Sequence, residues 1–258
     1  MAAAYREISV VILTRDEAAR LARCVEAVRG IADEILVVDS GSTDATVELA
    51  GKLGCRVISN AWPGYGAQRN FGAREAEHDW ILFVDADEVV GHDLAEAIGH
   101  WKEEAGGPSA AAALSVRRVG DFMGQWLEGS AERLVRLYDR RRCSVAQVEV
   151  HETVVTGTKP VGRLPGALWH HGFRSLSDHV ARFDRYTTLE AETAFAAGER
   201  FSPLRLALKP AARVLQQMMV KRLYRHGVAG LAVCALWVQY DVMRQLKLRE
   251  LAWRADTR

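Results

Sequence analysis

The sequence predicts an α/β fold in which a mostly parallel, Rossmann-like central sheet is flanked by helices and followed by a C-terminal helical extension. Short apolar runs alternate with stretches of helical period over the first hundred residues, and acidic residues follow several of the runs directly. The residues after 200 form long, basic, apolar stretches instead. A chain of 258 residues that is 49% hydrophobic can bury a sizeable core, which excludes a disordered protein.

The elements of the first half follow from this alternation. We expect strands at residues 8–13, 34–39, 55–59 and 80–84, and helices at residues 17–28, 44–53, 67–75 and 93–104. Fully apolar strands separated by helices are typical of a parallel sheet covered on both faces. In such sheets the ligand crevice lies beyond the carboxyl ends of the strands, so the acids that follow the strands are the candidate site.

The second half is less regular and then becomes helical. Its predicted elements are short strands at 112–119, 134–138 and 153–156, a helix at 175–197 with Ser177 as its N-cap, and apolar helical stretches at 204–224 and 228–251. We interpret residues 106–173 as the acceptor-binding half of the same domain. The predicted organisation is therefore a catalytic domain at 1–200 and a helical extension at 201–258.

The charge distribution separates these two parts. After Phe201 there are 11 Lys and Arg against 3 Asp and Glu, whereas residues 1–200 carry 23 against 30. An acidic body with a basic tail argues against a nucleic-acid binder and favours an anionic surface met by the tail. The N-terminus lacks the pattern of a signal peptide, and no uncharged run is long enough to span a bilayer. We expect a cytoplasmic protein.

The strongest chemical signal is the run Asp85-Ala86-Asp87-Glu88 after the strand WILFV. Two carboxylates at a strand end can share a divalent cation, Mg²⁺ or Mn²⁺, which also coordinates a diphosphate. The alternative is an acidic loop that caps the next helix. Crowded acids repel one another unless a cation or donor neutralises them, which favours the metal interpretation.

A second signal is Asp39 followed by the small-residue turn SGSTD. The carboxylate can bind a base or ribose, and the turn around Ser42 offers N–H groups to a phosphate. The alternative is an ordinary strand–turn–helix connection with Asp44 as the helix cap.

These motifs together resemble a known family. The runs SVVILTRDE, EILVVDSGSTDATVELA, AQRNFGA and WILFVDADE, in this order, resemble the GT-A glycosyltransferases of family 2. Further along, GYGAQRNFG, VHETV and VGRLPGALWHHGFRSLSDH look like the lipopolysaccharide-core β-glucosyltransferase branch. The resemblance implies a GT-A fold and an inverting transfer of a hexose from a UDP-sugar.

The resemblance also implies roles for individual residues. It assigns the uridine pocket to Thr14, Asp16, Glu17 and Asp39, the ribose and diphosphate to Asp85 and Arg69, and the cation to Asp87 together with His170. The family has an Asn where this chain has Asp16. A single His beside a Trp is more often a packed or hydrogen-bonded ring than a metal ligand. The alternative for His170 is therefore a structural role.

The expected general base is a carboxylate that takes the proton of the acceptor hydroxyl. Glu132 matches the position where relatives carry an Asp, although the branch's Tyr-Pro-Asp reads Ser-Ala-Glu here. Glu152 in VHETV is the rival candidate. For both, the alternative is a surface salt bridge with one of the nearby arginines.

The tail has its own interpretation. The stretch VAGLAVCALWVQY is flanked by basic residues and interrupted by Asp241, which favours an in-plane membrane contact over a spanning helix. The alternative is a helical pair that packs on the domain or on a second subunit. We therefore expect a glucosyltransferase with a lipopolysaccharide-core or other glycolipid or polysaccharide acceptor, located at the inner face of the cytoplasmic membrane.

Two other classes remain as alternatives. A sugar nucleotidyltransferase would need a Gly- and Arg-rich phosphate loop after the first strand, which TRDEAARLA does not supply. A catalytically silent scaffold that docks through its tail would bind no nucleotide-sugar.

Overall fold

A computed structural model describes residues 5–104, 111–146 and 153–257. The chain divides into two compact units. Unit 1 comprises Met1–Val119 and Glu132–His171, and unit 2 comprises Gly120–Ala131 and Gly172–Arg258. The domain boundary expected at residue 200 stays a prediction; helix 176–196 groups with the helices that follow it.

The first half of the unit 1 sheet is parallel. Its strands are β1 (Ile8–Thr14), β2 (Glu34–Asp39), β3 (Arg56–Ser59) and β4 (Trp80–Asp85), in the order β3-β2-β1-β4. All three pairings between them are parallel. The α/β class and these four strands confirm the sequence prediction. The helices between them supply the crossovers that parallel strands require.

The second half of the sheet contains antiparallel pairings. It is built from β5 (Glu88–Val90), β6 (Ala113–Phe122), β8 (Glu132–Asp139) and β11 (Val161–His170), in the order β4-β8-β6-β11-β5. Strand β8 runs antiparallel to both β4 and β6, and β11 runs antiparallel to β5. The sheet is thus mixed. Two short strands, β9 (Ser144–Val145) and β10 (Val154–Val155), pair separately.

Helices cover both faces of the sheet. Unit 1 contains α1 (Ala18–Val28), α2 (Thr46–Lys52), α3 (Tyr65–Glu75) and α4 (His92–Glu103). One apolar cluster joins Val10 and Ile12 of β1 to α1 and α4, and a second joins Val11 to α3 and β2. Because neighbouring residues of a strand face opposite sides, this alternation shows that β1 is buried on both faces.

Strands β5 and β11 were missing from the prediction. The β11 sequence VGRLPGALWH contains glycines and a proline, which are depleted in strands. Gly166 has a φ of +81°, and a Cβ there would lie 2.3 Å from the backbone nitrogen of Leu94. The glycine therefore allows β11 to pass close to the start of α4, a tertiary contact that has no local sequence signature.

Unit 2 is mainly helical. Its helices are α5 (Leu176–Ala196), α6 (Pro203–Leu215) and α7 (Gly227–Asp256); α6 and α7 are separated by a π-helical turn at Gln216–Val220 and a 3₁₀ turn at Leu223–His226. The 3₁₀ turn Glu128–Ser130 and strand β7 (Gln125–Trp126), which pairs with the end of β6, complete it. Both α5 and α6 pack against α7. Within the described part of the chain, no helix combines the length and apolar character that crossing a membrane requires.

The cap of α5 corrects the prediction. Ser175, rather than Ser177, precedes the helix with extended backbone, and its hydroxyl accepts the N–H of Asp178 at 3.0 Å. The helix begins two residues earlier than the Ser177 prediction implies, because Leu176 and Ser177 already have helical backbone.

Candidate active site

The strand register brings the predicted acids to one edge of the sheet. Thr14 at the end of β1 is aligned with Asp39 at the end of β2, and Leu13 is aligned with Asp85 at the end of β4. Since β1 lies between β2 and β4, the backbones of Asp39 and Asp85 are two strand spacings apart, about 10 Å. The carboxyl edge of the parallel strands therefore carries both acids, as the sequence predicted.

Asp39 shapes the turn that follows it. Its carboxylate accepts the N–H groups of Gly41 and Ser42, both at 2.9 Å, and the hydroxyl of Thr14 at 3.2 Å. The side chain is almost fully buried. Thr14, Asp39 and Ser42 thus form one hydrogen-bonded group, whose contact with uridine stays a prediction.

Asp16 ties the loop after β1 to the loop after β2. It has a φ of +55°, and its carboxylate accepts the N–H of Thr43 at 2.7 Å and that of Asp44 at 3.3 Å. The bond from the Thr43 backbone lowers the pKa of Asp16. Glu17 follows, and its N–H donates to the Thr46 hydroxyl at 2.9 Å. The two loops therefore act as one wall beside the strand ends.

Two arginines hold Asp85. Arg69 of α3 donates to one carboxylate oxygen at 2.8 Å, and Arg136 of β8 donates to the other at 3.1 Å. Burial alone would raise the pKa of Asp85, but the charges of Arg69 and Arg136 outweigh burial and hold it well below its usual range. Asp85 is therefore ionised at neutral pH, and two guanidinium groups lie beside it.

Glu88, the last acid of the run after β4, received no role in the sequence analysis. It is fully buried; it accepts from Arg136 at 2.7 Å, and its other oxygen accepts the N–H of Asp85 at 3.0 Å. Arg118 of β6 approaches it to 3.5 Å. Burial raises the pKa of Glu88; Arg136 and Arg118 oppose this shift, and the Asp85 carboxylate adds to it.

Arg118 and Arg136 are the site residues that the sequence analysis did not identify. Arg118 and Arg136 come from β6 and β8, which join the sheet on the far side of β4. In an irregular, Arg-rich stretch, the local sequence does not indicate which acidic residue a given arginine pairs with. The third acid of the run DADE was the one available signal, since a buried acid requires a counter-charge.

Asp87 and His170 form a separate pair. Nε2 of His170, at the end of β11, lies 3.3 Å from a carboxylate oxygen of Asp87, and both side chains are partly exposed. The pairing of β11 with β5 aligns His170 with Glu88, which explains the proximity. Burial alone would lower the pKa of His170, but the Asp87 carboxylate raises it above its usual value.

The donor set of this pair fits a divalent cation. A carboxylate oxygen and an imidazole nitrogen side by side, both accessible, offer two ligands and leave further positions for phosphate oxygens and water. Asp85 is already paired with Arg69 and Arg136. Among the residues that the structure describes, the one group of three ligand atoms within 4.8 Å of one another is a different one, the exposed His92, Asp93 and Glu96.

Of the two candidate bases, the structure describes Glu132. Glu132 begins β8, has a side chain that is 53% exposed, and is bonded to Arg118 at 2.6 Å. The salt bridge foreseen as the alternative is therefore present, and Arg118 links Glu132 to Glu88. Glu152 lies outside the described residues.

Comparison with known proteins agrees with this geometry. Residues 9–112 match the sequence model of glycosyl transferase family 2. The resemblance to family 2 of the glycosyltransferases that the sequence predicts is therefore confirmed over these residues. It is 29% identical to an uncharacterized glycosyltransferase of Rickettsia typhi, over 97% of this chain and 89% of that protein.

Two further similarities concern the branch and the fold. The lipopolysaccharide core biosynthesis glycosyltransferase LpsC of Rhizobium meliloti is 26% identical, over 93% of this chain and 91% of that protein. This similarity supports the predicted branch. The crystal structure of a mycobacterial protein, 18% identical, matches with a TM-score of 0.52 over 78% of each chain, which concerns the fold alone.

Proposed function

We propose that this protein is an inverting, metal-dependent glucosyltransferase that uses UDP-glucose and acts on a lipopolysaccharide-core acceptor or a related glycolipid or polysaccharide. One observation carries the proposal: in a family 2 chain, Asp39, Asp85 and Asp87 follow strands of one sheet edge, with Arg69 and Arg136 beside Asp85. The full-length similarity to LpsC supports the acceptor class.

The donor is assigned to the two tied loops and the arginines. The uridine binds to the loops after β1 and β2, whose polar groups at the edge of the sheet can hydrogen-bond to its base and ribose. The residues assigned to it are Thr14, Asp16, Glu17, Asp39 and Ser42. Asp85 contacts the ribose and diphosphate side. Arg69 and Arg136 already lie within hydrogen-bond distance of Asp85, so they can donate to diphosphate oxygens without leaving it.

The cation is assigned to Asp87 and His170, with Asp85 as a further candidate ligand. Bound Mg²⁺ or Mn²⁺ supplies positive charge that stabilises the departing UDP. The arginines act in the same direction and, as preformed charges in a partly buried site, need little reorganisation.

The base is assigned to Glu132, with Glu152 as the alternative. In an inverting transfer the acceptor oxygen attacks the anomeric carbon from the face opposite to UDP, the bond to UDP breaks, and the hydroxyl proton passes to the carboxylate. Arg118, 2.6 Å from the Glu132 carboxylate, holds this side chain at the start of β8.

The location is the last part of the proposal. We assign the protein to the inner face of the cytoplasmic membrane, where a lipid-linked acceptor is made accessible to a cytoplasmic donor. The basic, apolar sequence of the helical extension supports this assignment.

Release of UDP from UDP-glucose in the presence of Mn²⁺ tests the reaction. Asp87→Ala is expected to abolish metal-dependent turnover, and Glu132→Gln to lower kcat by about 10²-fold or more. Arg74→Gln in α3, away from the strand ends, serves as the control. Normal turnover of Asp87→Ala would remove the metal role, and normal turnover of Glu132→Gln would transfer the base to Glu152.

A further inference from the structure

Helix α6 in unit 2 turns its apolar side outward. Leu204, Leu208, Ala211 and Leu215 recur every three or four residues and so share one face of the helix. The three leucines are 66%, 59% and 64% exposed. Across the whole of α6 no residue is fully buried, although a surface helix of a globular protein normally turns such a stripe to the core.

The opposite face of α6 is the one attached to the protein. Arg213 on that face donates to Asp241 of α7 at 2.7 and 3.1 Å, and Lys209 pairs with the same carboxylate at 3.0 Å. Gln217, one turn further on, is fully buried. The helix is therefore anchored by polar groups, and the anchor fixes the apolar stripe in an outward orientation.

The exposed apolar surface continues beyond α6. Met219 and Val220 in the π-helical turn are 69% and 76% exposed. Tyr224 in the 3₁₀ turn and Val228 at the start of α7 are 58% and 76% exposed. Tyrosine is an amphipathic side chain enriched at membrane–water interfaces.

The charge that is left unpaired beside this surface is positive. Residues 202–240 contain no Asp or Glu, and their six cations are Arg205, Lys209, Arg213, Lys221, Arg222 and Arg225. Arg205 pairs with Glu199, and Lys209 and Arg213 pair with Asp241. Arg222 and Arg225 lie in the turn between α6 and α7, are exposed, and have no ion pair with any described residue. An exposed apolar stripe followed by two exposed cations complements an anionic, amphiphilic surface.

We infer that the α6 stripe and the turn that follows it form a docking surface for an anionic phospholipid bilayer, with α6 lying in the plane of the headgroups. Leu204, Leu208, Leu215 and Met219 enter the acyl boundary, and Arg222 and Arg225 bind lipid phosphates. The inference rests on the proposed membrane location but not on the proposed reaction.

Vesicle co-sedimentation of the full chain tests the inference. The wild type is expected to bind phosphatidylcholine vesicles that contain phosphatidylglycerol, and to bind them more weakly as salt is raised. The double variant Leu208→Ser/Leu215→Ser is expected to lose at least about tenfold in partition, because two apolar side chains no longer enter the bilayer. Arg222→Ser/Arg225→Ser is expected to lose about 25-fold in partition on these vesicles, at about fivefold per cation.

A matched control is available in unit 1. Val47→Ser/Lys52→Ser removes one exposed apolar and one exposed cationic side chain from α2, and it is expected to bind vesicles as the wild type does. The stripe residues are solvent-exposed, so their replacement leaves the fold intact, which circular dichroism and thermal unfolding check.

Three results would overturn the inference: no binding of wild type to the anionic vesicles, full binding by the stripe variant, or a wild-type dimer that the stripe variant dissociates in sedimentation velocity. The last would assign the surface to a second copy of the chain. The thermal stabilisation that UDP gives to the wild type and to the same variants is measured separately. If UDP stabilises none of these proteins while the wild type still binds the vesicles, the proposed reaction is refuted but the docking surface is not.

Discussion

Replacing Asp241 by Asn tests how α6 is held. Asp241 is 1% exposed and lies in the apolar part of α7, where it pairs with Arg213 and Lys209. Burial would raise the pKa of Asp241, but the hydrogen bonds from Arg213 and Lys209 outweigh burial and lower it. The amide keeps the shape and one acceptor but removes the charge, so both cations lose their counter-ion.

The expected cost follows from the exposure of the partners. Removing one member of a buried ion pair costs about 3–5 kcal/mol. The side chains of Arg213 and Lys209 are 22% and 44% exposed, so water recovers part of that cost, and we expect a loss of about 2–3 kcal/mol. For a chain of this length, the corresponding fall in Tm is about 4–12 °C.

Urea unfolding at pH 7 and at low pH measures the effect. Because the folded-state pKa of Asp241 lies below its unfolded value, the stabilisation is complete above about pH 4 and is lost as the pH falls through the folded pKa. The difference between the wild type and Asp241→Asn should therefore shrink in acid. The matched control is Asp184→Asn, whose 65% exposed carboxylate pairs with Lys247; it should cost less than about 1 kcal/mol. Equal stability of the two variants at pH 7 would refute the role of the anchor.

Three further predictions concern local structure. Gly166→Ala should destabilise unit 1 by about 3 kcal/mol in urea unfolding, because the new Cβ meets the Leu94 backbone at a positive φ. Asp85→Asn should lower the unfolding free energy at pH 7 by roughly 2 kcal/mol, since Arg69 loses its counter-charge; the wild type should lose the same amount as acid protonates Asp85. Ser175→Ala should cost about 1 kcal/mol through loss of the α5 cap, measured by thermal unfolding.

Each of these has a control in the chain. Gly157→Ala meets no atom within 4 Å at its φ of +58°, so it should cost only the backbone strain of about 1 kcal/mol. If Gly166→Ala costs no more than that, the contact with α4 is not tight. Ser177→Ala, two residues into α5, should leave stability unchanged, and a larger loss there than at Ser175 would assign the cap to Ser177. For Asp85, stability of the Asn variant equal to wild type at pH 7 would contradict the arginine pairing.

Much of the site could be predicted from local sequence. The acids at Asp39 and Asp85 follow apolar strands, and parallel strands end at one edge, so their convergence followed from pattern alone. The arginines could not be found in this way. Arg136 and Arg118 reach Asp85 and Glu88 because β8 runs antiparallel beside β4 and β6 runs antiparallel beside β8, and these contacts join residues 30 to 51 positions apart in the chain.

In the helical extension, too, the sequence predicted the helices but not their orientation. The sequence indicated two basic, apolar helical stretches, but periodicity does not reveal which face of a helix meets the rest of the protein. In α6, Arg213 and Lys209 pair with the buried Asp241 of α7, because a buried charge requires a partner, and this pairing directs the polar face of α6 toward α7. The outward stripe is therefore a result of tertiary contacts.

The amino-acid pattern alone thus determined the α/β class, the four parallel strands and the edge where the acids meet, since each depends on residues close together in the chain. The tertiary structure decided the antiparallel pairings of β8 and of β11 with β5, the position of Arg118 and Arg136 beside Glu88, the pairing of Asp87 with His170 and the outward face of α6. Those features depend on which distant segments come into contact, and such contacts are selected by burial and charge pairing in the folded chain as a whole.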